Sequence, residues 1–427
     1  MFIDGEAPQH RTWRTVIDVV VIGAGVAGLV ATRMLRQAGA NVVCIEARPR
    51  IGGRAWTEWL TPDLPFDIGA SWLHAVDKGH PWVPHLHRLS VRTKPDPRHR
   101  VTFDLDGRPS ETASRAFARA IDDAWQAMER AAAEQDDVSA DEILPKGHPW
   151  ADLTRALIGP WLCGVDTDDL SVRDWVHWIS GEDWFVDPGV GEMVRRYAAD
   201  LEIETNTVAT AIDVKPDRID VGTSTGRIEA KTAICTVPLG VLAAGDIVFT
   251  PALEPDRLAA LDQLPMGLLM KLALVFDDWE IVREGPRYLH LPKGGEAAPF
   301  YCVPPFGRSL LYAFCGGRQA RALEAAGEQA AVEALLAPLI DQFGEDCRRR
   351  FRFGMMTRWG TDPFARGSYA MARPGGSGLR PRLARPHAGR LFFAGEATDA
   401  DGWAATVAGA YRSGERAARE AIELLQH

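Results

Sequence analysis

The sequence predicts an α/β fold with two domains, and three observations lead to this prediction. A length of 427 residues exceeds what one simple hydrophobic core accommodates. A β-branched run at 19–22 ends in Gly-x-Gly-x-x-Gly at 23–28, and an amphipathic helical pattern follows at 29–38. A second strand-then-helix pattern closes the chain, with a hydrophobic run at 390–394 and a helical segment at 402–425. The two ends of the chain are therefore expected to form one unit.

The first glycine motif is typical of a turn that binds a dinucleotide. Gly23 permits the tight turn, Gly25 lets a pyrophosphate approach the backbone, and Gly28 lets helix and strand pack closely. The phosphates would lie at the N-terminus of the helix that begins at Val26 and Ala27, where free N–H groups and the helix dipole favour anions.

A carboxylate follows at the distance where such folds bind ribose. The hydrophobic run at 42–45 ends in Glu46, which would accept hydrogen bonds from a ribose hydroxyl pair. A lone glycine motif could also be a turn in an unrelated βα unit, but the strand, helix and acid together favour a dinucleotide. They do not distinguish NAD from FAD.

The residues after Glu46 favour a flavin. The pair Gly52-Gly53 brings the backbone close to a ligand, and Arg54 can offer a guanidinium to phosphate, a segment that a nicotinamide site does not require. Here the chain resembles the flavin-containing amine oxidases, whose fingerprint Gly-Gly-Arg-x-x-Thr is matched through Thr57. The resemblance implies FAD and also places Ala47 and Arg48 at the cofactor.

Composition and charge exclude several classes of protein. Hydrophobic content of 46% and charged content of 25% are typical of a soluble globular protein, and a net charge of -10 argues against a basic nucleic-acid surface. We find no signal peptide in residues 1–15, no apolar stretch that could cross a bilayer, and no metal or disulfide spacing among the six cysteines. We expect a cytoplasmic monomer or homodimer with reduced thiols and no membrane partner.

The segment 61–74 resembles the acid-hydrophobic-Gly-Ala-x-Trp-x-His segment of the polyamine-oxidase branch. The resemblance places His74 beside the substrate channel, although a histidine after a tryptophan is more often a packed or surface residue. The same resemblance implies that four earlier residues of this segment contact the flavin, namely Gly69, Ala70, Ser71 and Trp72.

The histidines at 80, 85 and 87 do not form a convincing metal site. Their spacing fits no helical ligand pair, Pro81 and Pro84 prevent a regular helix, and no acidic or cysteine partner is adjacent. We expect no metal.

Carboxylates and indoles cluster between 166 and 184 and could line a channel for an ammonium group, because indole faces attract cations. The members are Asp166 to Asp169, Glu182, Asp183, Trp175, Trp178 and Trp184. For each residue alone, solvated loops and core tryptophans are the favoured interpretation. The alanine-rich segment 114–134 predicts a helix before this cluster.

The chain then returns to its first domain. A helix is predicted for 188–201, and strands for 207–214, 218–223, 227–230 and 232–236. By resemblance, the backbone of Val208 meets the adenine, and Val237 lies where a strand returns to the cofactor.

Lys271 interrupts the apolar strand predicted for 267–276. Burying an ammonium without a partner is costly, so the structural interpretation places it at a strand end or reaching outward to solvent. The family resemblance instead implies a lysine bridged by water to flavin N5, where its charge would stabilise electron transfer to oxygen. We favour the second interpretation.

The segment 359–369 resembles the Trp-x-x-Asp-Pro and Gly-Ser-Tyr elements of the family. Trp359 would pack near the flavin ring, and Tyr369 would form a wall of the substrate cage. Some relatives hold the flavin covalently through a cysteine where this chain has Ser368, so we expect non-covalent FAD. Strands are predicted between 287 and 315 and a long helix over 318–343.

The last segment resembles the second flavin-binding segment of the family. The implied flavin contacts are Gly395, Glu396, Ala405, Thr406 and Val407. Where monoamine oxidases have a second aromatic residue, this chain has Thr406, as in the polyamine-oxidase and histone-demethylase branches. The length and the lack of chromatin-reading additions argue against a histone substrate.

The expected architecture is a discontinuous Rossmann-like FAD-binding domain with a mixed α+β substrate domain, as in amine oxidases and p-hydroxybenzoate hydroxylase. The FAD-binding domain would comprise 1–78, 187–264 and 381–427, and the substrate-binding domain 79–186 and 265–380.

The expected reaction is oxidation of a (poly)amine C–N bond by hydride transfer to flavin N5, imine hydrolysis and reduction of O2 to H2O2. The catalytic candidates are Lys271, Tyr369, His74, Trp359 and Thr406. One alternative is an L-amino-acid oxidase, which needs an arginine for the carboxylate; Arg92, Arg287 and Arg358 are conceivable. A non-catalytic flavoprotein is disfavoured because Lys271 and Tyr369 are present.

Overall fold

The computed structural model of the chain describes residues 16–104, 106–283, 285, 287–291 and 297–427. The segment 1–15, from which the absence of a signal peptide is predicted, lies outside these residues.

Short strands recur along the described part of the chain. They are β1 Ile17–Ile22, β2 Val42–Ile45, β3 Thr57–Thr61, β4 Leu64–Asp67, β5 Trp72–Leu73, β6 Arg92–Pro95, β7 Arg100–Thr102, β8 Trp184–Asp187, β9 Ala209–Val214, β10 Ile219–Thr223, β11 Gly226–Cys235, β12 Val248–Thr250, β13 Met266–Gly267, β14 Leu269–Phe276, β15 Arg287–His290, β16 Phe300–Val303, β17 Leu310–Gly316, β18 Phe351–Met356, β19 Tyr369–Ala370 and β20 Leu391–Phe393.

The described α-helices alternate with these strands. They are α1 Val26–Gln37, α2 Glu111–Glu134, α3 Ala140–Ile143, α4 Ala151–Ala156, α5 Val172–Val176, α6 Val190–Tyr197, α7 Leu239–Ala244, α8 Pro255–Gln263, α9 Glu280–Arg283, α10 Gly317–Ala326, α11 Glu328–Phe343, α12 Glu345–Arg350, α13 Arg380–Ala384 and α14 Val407–Gln426.

The first sheet joins the two ends of the chain, as predicted. Its seven strands run in the order β12-β9-β10-β11-β1-β2, and β20 also pairs with β11. Strands β1, β2, β11 and β20 are parallel, so their carboxyl ends meet at one edge. Helices α1 and α14 share one apolar core with one face of this sheet, and both begin at that edge.

The second sheet carries the lysine strand. Its six strands run in the order β18-β14-β17-β16-β15-β7, and β14 lies between two antiparallel neighbours. A central strand covered on both faces is expected to be almost continuously apolar, and β14 is buried from Met270 to Phe276. Helices α10 and α11 pack on one face of this sheet.

Three small sheets connect the two large ones. Strands β3 and β4 form a hairpin, β5, β8 and β6 form a second sheet, and β13 pairs with β19. The mixed α/β organisation agrees with the predicted fold class, whereas the predicted domain boundaries stay a prediction.

Several predicted elements differ from the observed ones for local reasons. The helix predicted over 318–343 is divided into α10 and α11 because Gly327 has a φ of +96°. The strands predicted at 227–230 and 232–236 are one strand, β11, because the alternation of exposed and buried residues continues through Lys231. The helix predicted from Gly402 begins five residues later, where Thr406 caps it.

Candidate active site

One cavity of about 530 Å³ joins the dinucleotide motif to the lysine strand. All predicted site residues except Gly28 line it. The lining cofactor candidates are Gly23, Gly25, Val26, Ala27, Glu46, Ala47, Arg48, Gly53, Arg54, Gly69, Ala70, Ser71, Trp72, Val208, Val237, Trp359, Gly395, Glu396, Ala405, Thr406 and Val407. The lining catalytic candidates are Lys271, Tyr369, His74, Trp359 and Thr406.

Close backbone packing explains two of the glycines at the dinucleotide end. A Cβ added to Gly28 would lie 1.9 Å from the carbonyl oxygen of Gly23, so the close approach of α1 to the first turn requires glycine. Gly53 has a φ of +57°, and its added Cβ would lie 3.1 Å from the Cα of Gly25. The two glycine segments therefore form one narrow cradle, in which no side chain of the described residues caps the N-terminus of α1.

Glu46 is held in place by two backbone N–H groups. Its Oε2 accepts from the N–H of Ala24 at 2.8 Å, and its Oε1 accepts from the N–H of Arg48 at 2.9 Å. The side chain of Arg48 donates to Asp362 at 2.6 Å and lies over the ring of Phe364. A buried carboxylate is thus fixed beside the free helix terminus, as a ribose acceptor would be.

Val208 lines the cavity, but its backbone has a partner already. Its N–H donates to the hydroxyl of Ser224 at 3.0 Å, and its carbonyl accepts from the N–H of Ser224 at 2.8 Å. The carbonyl retains a second lone pair, whereas the N–H has no further capacity. The contact between this backbone and adenine stays a prediction.

Arg54 and Glu396 form a hydrogen-bond network that supports the start of α14. Arg54 donates from Nη1 to Oε1 of Glu396 at 2.9 Å and to the carbonyl of Ser368 at 2.8 Å. A contact between Arg54 and phosphate stays a prediction. Oε2 of Glu396 accepts from the N–H of Ala405 at 3.0 Å. Ala405 has a φ of +63°, so this bond stabilises a backbone conformation that alanine rarely adopts.

Thr406 is the N-cap of α14. Its hydroxyl oxygen accepts from the N–H of Gly409 at 3.1 Å, and its hydroxyl donates to the carbonyl of Trp403 at 2.7 Å. Both contacts are structural, so the hydroxyl is committed to the helix end. A catalytic role of Thr406 stays a prediction.

Lys271 is buried in the middle of the site. The side chain is 4% exposed, and Nζ donates to the carbonyls of Asp67 and Gly69 and to the hydroxyl of Ser71, each at 2.6 Å. The structural alternative of a strand-end or solvent-reaching lysine is therefore wrong, because the ammonium finds its acceptors at the end of β4 and in the chain that follows it. All three N–H groups have protein partners, and the hydroxyl of Ser71 lines the cavity beside them.

Burial shifts the titration of this lysine. Desolvation lowers the pKa of Lys271 from 10.5 to about 8, and the nearby carboxylate of Asp67 acts in the opposite direction. The rings of Phe66, Tyr312 and Phe314 surround the ammonium at 5.7 to 5.9 Å. A cation that titrates near neutral pH thus lies in an aromatic setting.

Trp359, Ser368 and Tyr369 form a wall of the cavity. The indole of Trp359 donates to the carbonyl of Ile68 at 2.8 Å, and the hydroxyl of Tyr369 donates to the carbonyl of Leu162 at 3.0 Å. Ser368 donates to and accepts from the backbone of Leu269, so its hydroxyl is satisfied within the protein.

A π-helix, Leu157–Trp161, directly precedes Leu162, the residue that binds the hydroxyl of Tyr369. Pro160 lies within it and has no N–H to donate, which favours a departure from the α-helical bond pattern. The distortion places Trp161 and Leu162 on the cavity wall. No sequence signal indicated these two residues.

A charged cluster lines another part of the cavity wall. His74 contacts Asp183 at 3.2 Å, and Arg98 donates to Asp183 at 2.8 Å. Asp96 accepts from the indole of Trp72, the hydroxyl of Tyr288 and the N–H of Arg98. Burial would raise the pKa of Asp183, but His74 and Arg98 outweigh it and hold that pKa well below its usual range.

Sequence reasoning missed Asp96 and Arg98 because they lie in a proline-containing loop that carries no motif. It also favoured loop and core interpretations for Trp175, Trp178 and Asp183, yet all three line the cavity. Aromatic rings complete this chamber, and further members are Trp125, Trp161, Tyr288, Phe300 and Phe314. The remaining predicted acids, Asp166 to Asp169 and Glu182, and Trp184 do not line it.

The arginines considered for a carboxylate clamp lie elsewhere. Arg92 pairs with Asp187 and is largely exposed, Arg358 lies near Glu328, and Arg287 donates to the carbonyl of Ile281. None of the three lines the cavity.

The geometry agrees with comparisons to known proteins. A family model described as flavin-containing amine oxidoreductase matches residues 26–422. The chain belongs to this family. The predicted family and the predicted enzyme class, a flavin-dependent amine oxidase, are thereby confirmed.

Two relatives of this flavin-containing amine oxidoreductase illustrate its range. Lysine-specific histone demethylase 2 of Homo sapiens is 27% identical over 442 residues, which cover 94% of this chain and 53% of the relative. Polyamine oxidase 5 of Oryza sativa subsp. japonica is 29% identical over 440 residues, which cover 94% of this chain and 87% of the relative. The chain thus spans about half of the demethylase and most of the polyamine oxidase.

A solved structure supports the fold. Putrescine oxidase, described as wild type bound to putrescine, has a TM-score of 0.80 at 22% identity and covers 97% of this chain and 100% of its own. The chain therefore has the amine oxidase fold.

The cavity of this family member has features that suit a bound flavin. The glycine cradle, the uncapped N-terminus of α1 and the fixed carboxylate of Glu46 suit a pyrophosphate and a ribose. Among the residues that the structure describes, no group of three His, Cys, Asp or Glu side chains is arranged to hold a metal ion. The six cysteines are all free and buried.

None of the helices in the described ranges is both long and apolar enough to span a bilayer.

Proposed function

We propose that the chain is an FAD-dependent oxidase of polyamine-type amines that produces hydrogen peroxide. The observation that carries the proposal is one continuous cavity that runs from the dinucleotide cradle to an aromatic chamber and contains Lys271. The family membership supports a flavin, and the cradle with Glu46 supports FAD because a flavin mononucleotide has no second phosphate or ribose to occupy it.

Bound FAD would supply the redox chemistry, accepting at N5 a hydride from the carbon next to the amine nitrogen and passing two electrons to O2, which with two protons gives H2O2. Water then hydrolyses the iminium product to a carbonyl compound and an amine. The protein has to bind the neutral amine, orient its C–H bond and exclude bulk water.

The aromatic chamber would bind the neutral amine. A low-dielectric setting disfavours the ammonium form of a substrate, so the amine would react as the free base and no side chain is required as a strong base. Tyr369 is held by Leu162 and Trp359 by Ile68, so both rings are fixed before substrate arrives.

Lys271 supports the oxygen step. A buried ammonium beside the cavity stabilises negative charge that develops as oxygen is reduced. Its N–H groups are bound by protein oxygens, so its charge would act through the hydroxyl of Ser71 or directly across the dry site.

We infer that FAD is held without a covalent bond. Ser368 cannot form a thioether, and both of its hydrogen bonds go to the backbone of Leu269. Acid precipitation of the purified protein should release the flavin into the supernatant, where chromatography would identify FAD. Yellow colour in the washed pellet would contradict this inference.

The proposed activity is tested by a screen on the purified flavoprotein. Spermine, spermidine, their acetyl derivatives, monoamines, L-amino acids and a methyl-lysine peptide are each mixed anaerobically with the enzyme, and flavin absorbance is followed before peroxide release is measured in air. We expect polyamines to reduce the flavin. Reduction by L-amino acids alone would favour the alternative oxidase, and reduction by the peptide alone would favour a demethylase.

We further propose a cytoplasmic monomer or homodimer without nucleic-acid or membrane partners. The acidic net charge of -10 supports the first exclusion, and gel filtration with light scattering would determine the oligomeric state.

A further inference from the structure

A buried ion pair outside the cavity connects three segments that form its walls. Arg380 and Asp174 have side chains only 4% and 5% exposed. Nε of Arg380 donates to one carboxylate oxygen at 3.1 Å, and Nη2 donates to the other at 2.8 Å. This bidentate geometry fixes the guanidinium plane as well as its position.

The same guanidinium binds two carbonyls next to site residues. Nη2 donates to the carbonyl of Ala370 at 3.4 Å, and Nη1 donates to the carbonyl of Ala397 at 3.3 Å. Tyr369 directly precedes the first carbonyl in the chain, and Glu396 directly precedes the second. Arg380 is therefore one peptide away from the tyrosine wall and from the cavity-lining carboxylate of Glu396.

Asp174 extends the connection to the aromatic chamber. It lies in the short helix α5 and is followed by Trp175, whose ring contacts Trp125 with centroids 4.1 Å apart. Its own N–H donates to the hydroxyl of Ser171, which caps this helix. The orientation of α5, and with it the position of Trp175, depends on where the carboxylate is held.

Arg380 stays charged although it is buried. Desolvation alone would lower the pKa of Arg380, but the charge and hydrogen bonds of Asp174 outweigh it and raise that pKa. A buried ion pair is often no more stabilising than apolar residues of similar volume. Its bonds to two carbonyls beside the site point to a role in positioning.

We propose that the Arg380–Asp174 pair positions Tyr369, Glu396 and Trp175 relative to one another, and thereby sets the rate of substrate oxidation. The proposal rests on the proposed amine oxidation. Small displacements of orienting groups reduce rates strongly, because the reacting atoms must meet at a fixed distance and angle. The pair touches neither the cavity nor a reacting atom, so both residues are positioning residues.

The test uses a neutral replacement that keeps the volume of the pair, R380M/D174L, in the flavin-loaded enzyme. We expect unchanged FAD content and only a small loss of thermal stability, with anaerobic reduction by spermine slower by about 30- to 100-fold at saturation. The conservative variant R380K keeps the charge but cannot reach both carbonyls, and we expect it to slow reduction by about tenfold without a change in melting temperature. The control R318Q removes an exposed arginine that pairs with Asp168, and its rate should equal that of the wild type.

A substrate-free measurement accompanies the kinetics. The near-ultraviolet circular dichroism band of the Trp125–Trp175 pair should change in R380M/D174L while the far-ultraviolet spectrum does not. A wild-type rate of flavin reduction in either R380M/D174L or R380K would overturn the proposal. If spermine fails to reduce the wild-type flavin, the proposed function fails for that substrate, and an unchanged dichroism band would still overturn the positioning role.

Discussion

Replacement of Lys271 by methionine tests the electrostatic core of the site. The ammonium donates to three oxygens at 2.6 Å and is 4% exposed, so methionine of similar length removes the charge and three donors together. We expect FAD content to remain close to that of the wild type, and the reaction of the reduced enzyme with oxygen to slow by about 10²-fold, as for removal of a preorganised charge-stabilising donor.

The small expected effect on stability follows from two opposing contributions. The burial that lowers the pKa of Lys271 from 10.5 to about 8 penalises the charged form by about 3 kcal/mol. Methionine relieves this penalty but leaves the oxygens of Asp67, Gly69 and Ser71 without a donor, at a cost of roughly 1 kcal/mol each. The contributions nearly cancel.

The pH dependence has a definite sign. The folded protein releases the proton of Lys271 between about pH 8 and 10.5 while the unfolded chain retains it, so the contribution of this group to stability rises with pH across that window. The oxygen reaction needs the protonated form and should lose rate as pH rises through the folded pKa. A reduced, anionic flavin would raise this pKa, so we expect the inflection at or above pH 8.

Stopped-flow mixing of the anaerobically reduced enzyme with oxygen between pH 6 and 10 measures both effects. The K271M enzyme should be slow and lack the inflection, and the exposed-lysine control K146M should match the wild type in both respects. A wild-type oxygen rate in K271M, or the same inflection in both enzymes, would refute this reasoning.

Three further predictions concern single residues around the cavity. The added Cβ of Gly25→Ala meets no atom closer than 4.0 Å, so this variant should keep its melting temperature but lose most of its flavin, as measured by absorbance. The added Cβ of Gly28→Ala lies 1.9 Å from a backbone oxygen, so this variant should lower stability by about 1–3 kcal/mol in thermal melts. Thr406→Ala should lower stability by about 1 kcal/mol in urea denaturation because the helix cap is lost. Thr406→Ser keeps the hydroxyl and should therefore retain both stability and turnover. Loss of turnover in Thr406→Ser would contradict the capping role. Arg98→Met should raise kcat/KM in a peroxide assay for putrescine relative to pentylamine by about fivefold, because a cavity carboxylate loses its partner; an unchanged ratio would show that Arg98 does not influence substrate charge.

The sequence was sufficient to predict the glycine-rich lining of the cavity because the motifs there are local. Each motif is contained within about a dozen residues: the first turn, the glycine pair and the terminal strand-turn-helix. Nearly all the residues predicted from these motifs line the cavity. The division of the helix at 318–343 was not predicted, because the helix-favouring residues around Gly327 outweighed a single glycine in the pattern.

The substrate side depends on contacts that no local pattern records. The partners of Lys271 come from 67–71, about two hundred positions earlier, and Asp183 meets Arg98 across 85 positions. Strand pairing and loop packing create these contacts, so the sequence identified the lysine by resemblance but not the oxygens that bind it. Trp161 lies on the cavity wall at the end of a π-helix. Helical periodicity in the sequence does not reveal a π-helix, so this position could not be predicted.

The charges around the cavity lead to one electrostatic conclusion. Arg54 pairs with Glu396, Arg48 with Asp362, and Arg98 with Asp183, so each of these guanidinium groups has a carboxylate at 2.6 to 2.9 Å. Lys271 differs, because its three direct partners are two carbonyls and a hydroxyl, none of which carries a formal charge. A developing negative charge near this strand would therefore experience the field of the Lys271 ammonium, reduced by the nearby carboxylate of Asp67, in a low-dielectric setting where water screens both groups little. The same burial that lowers its pKa is what makes its charge effective.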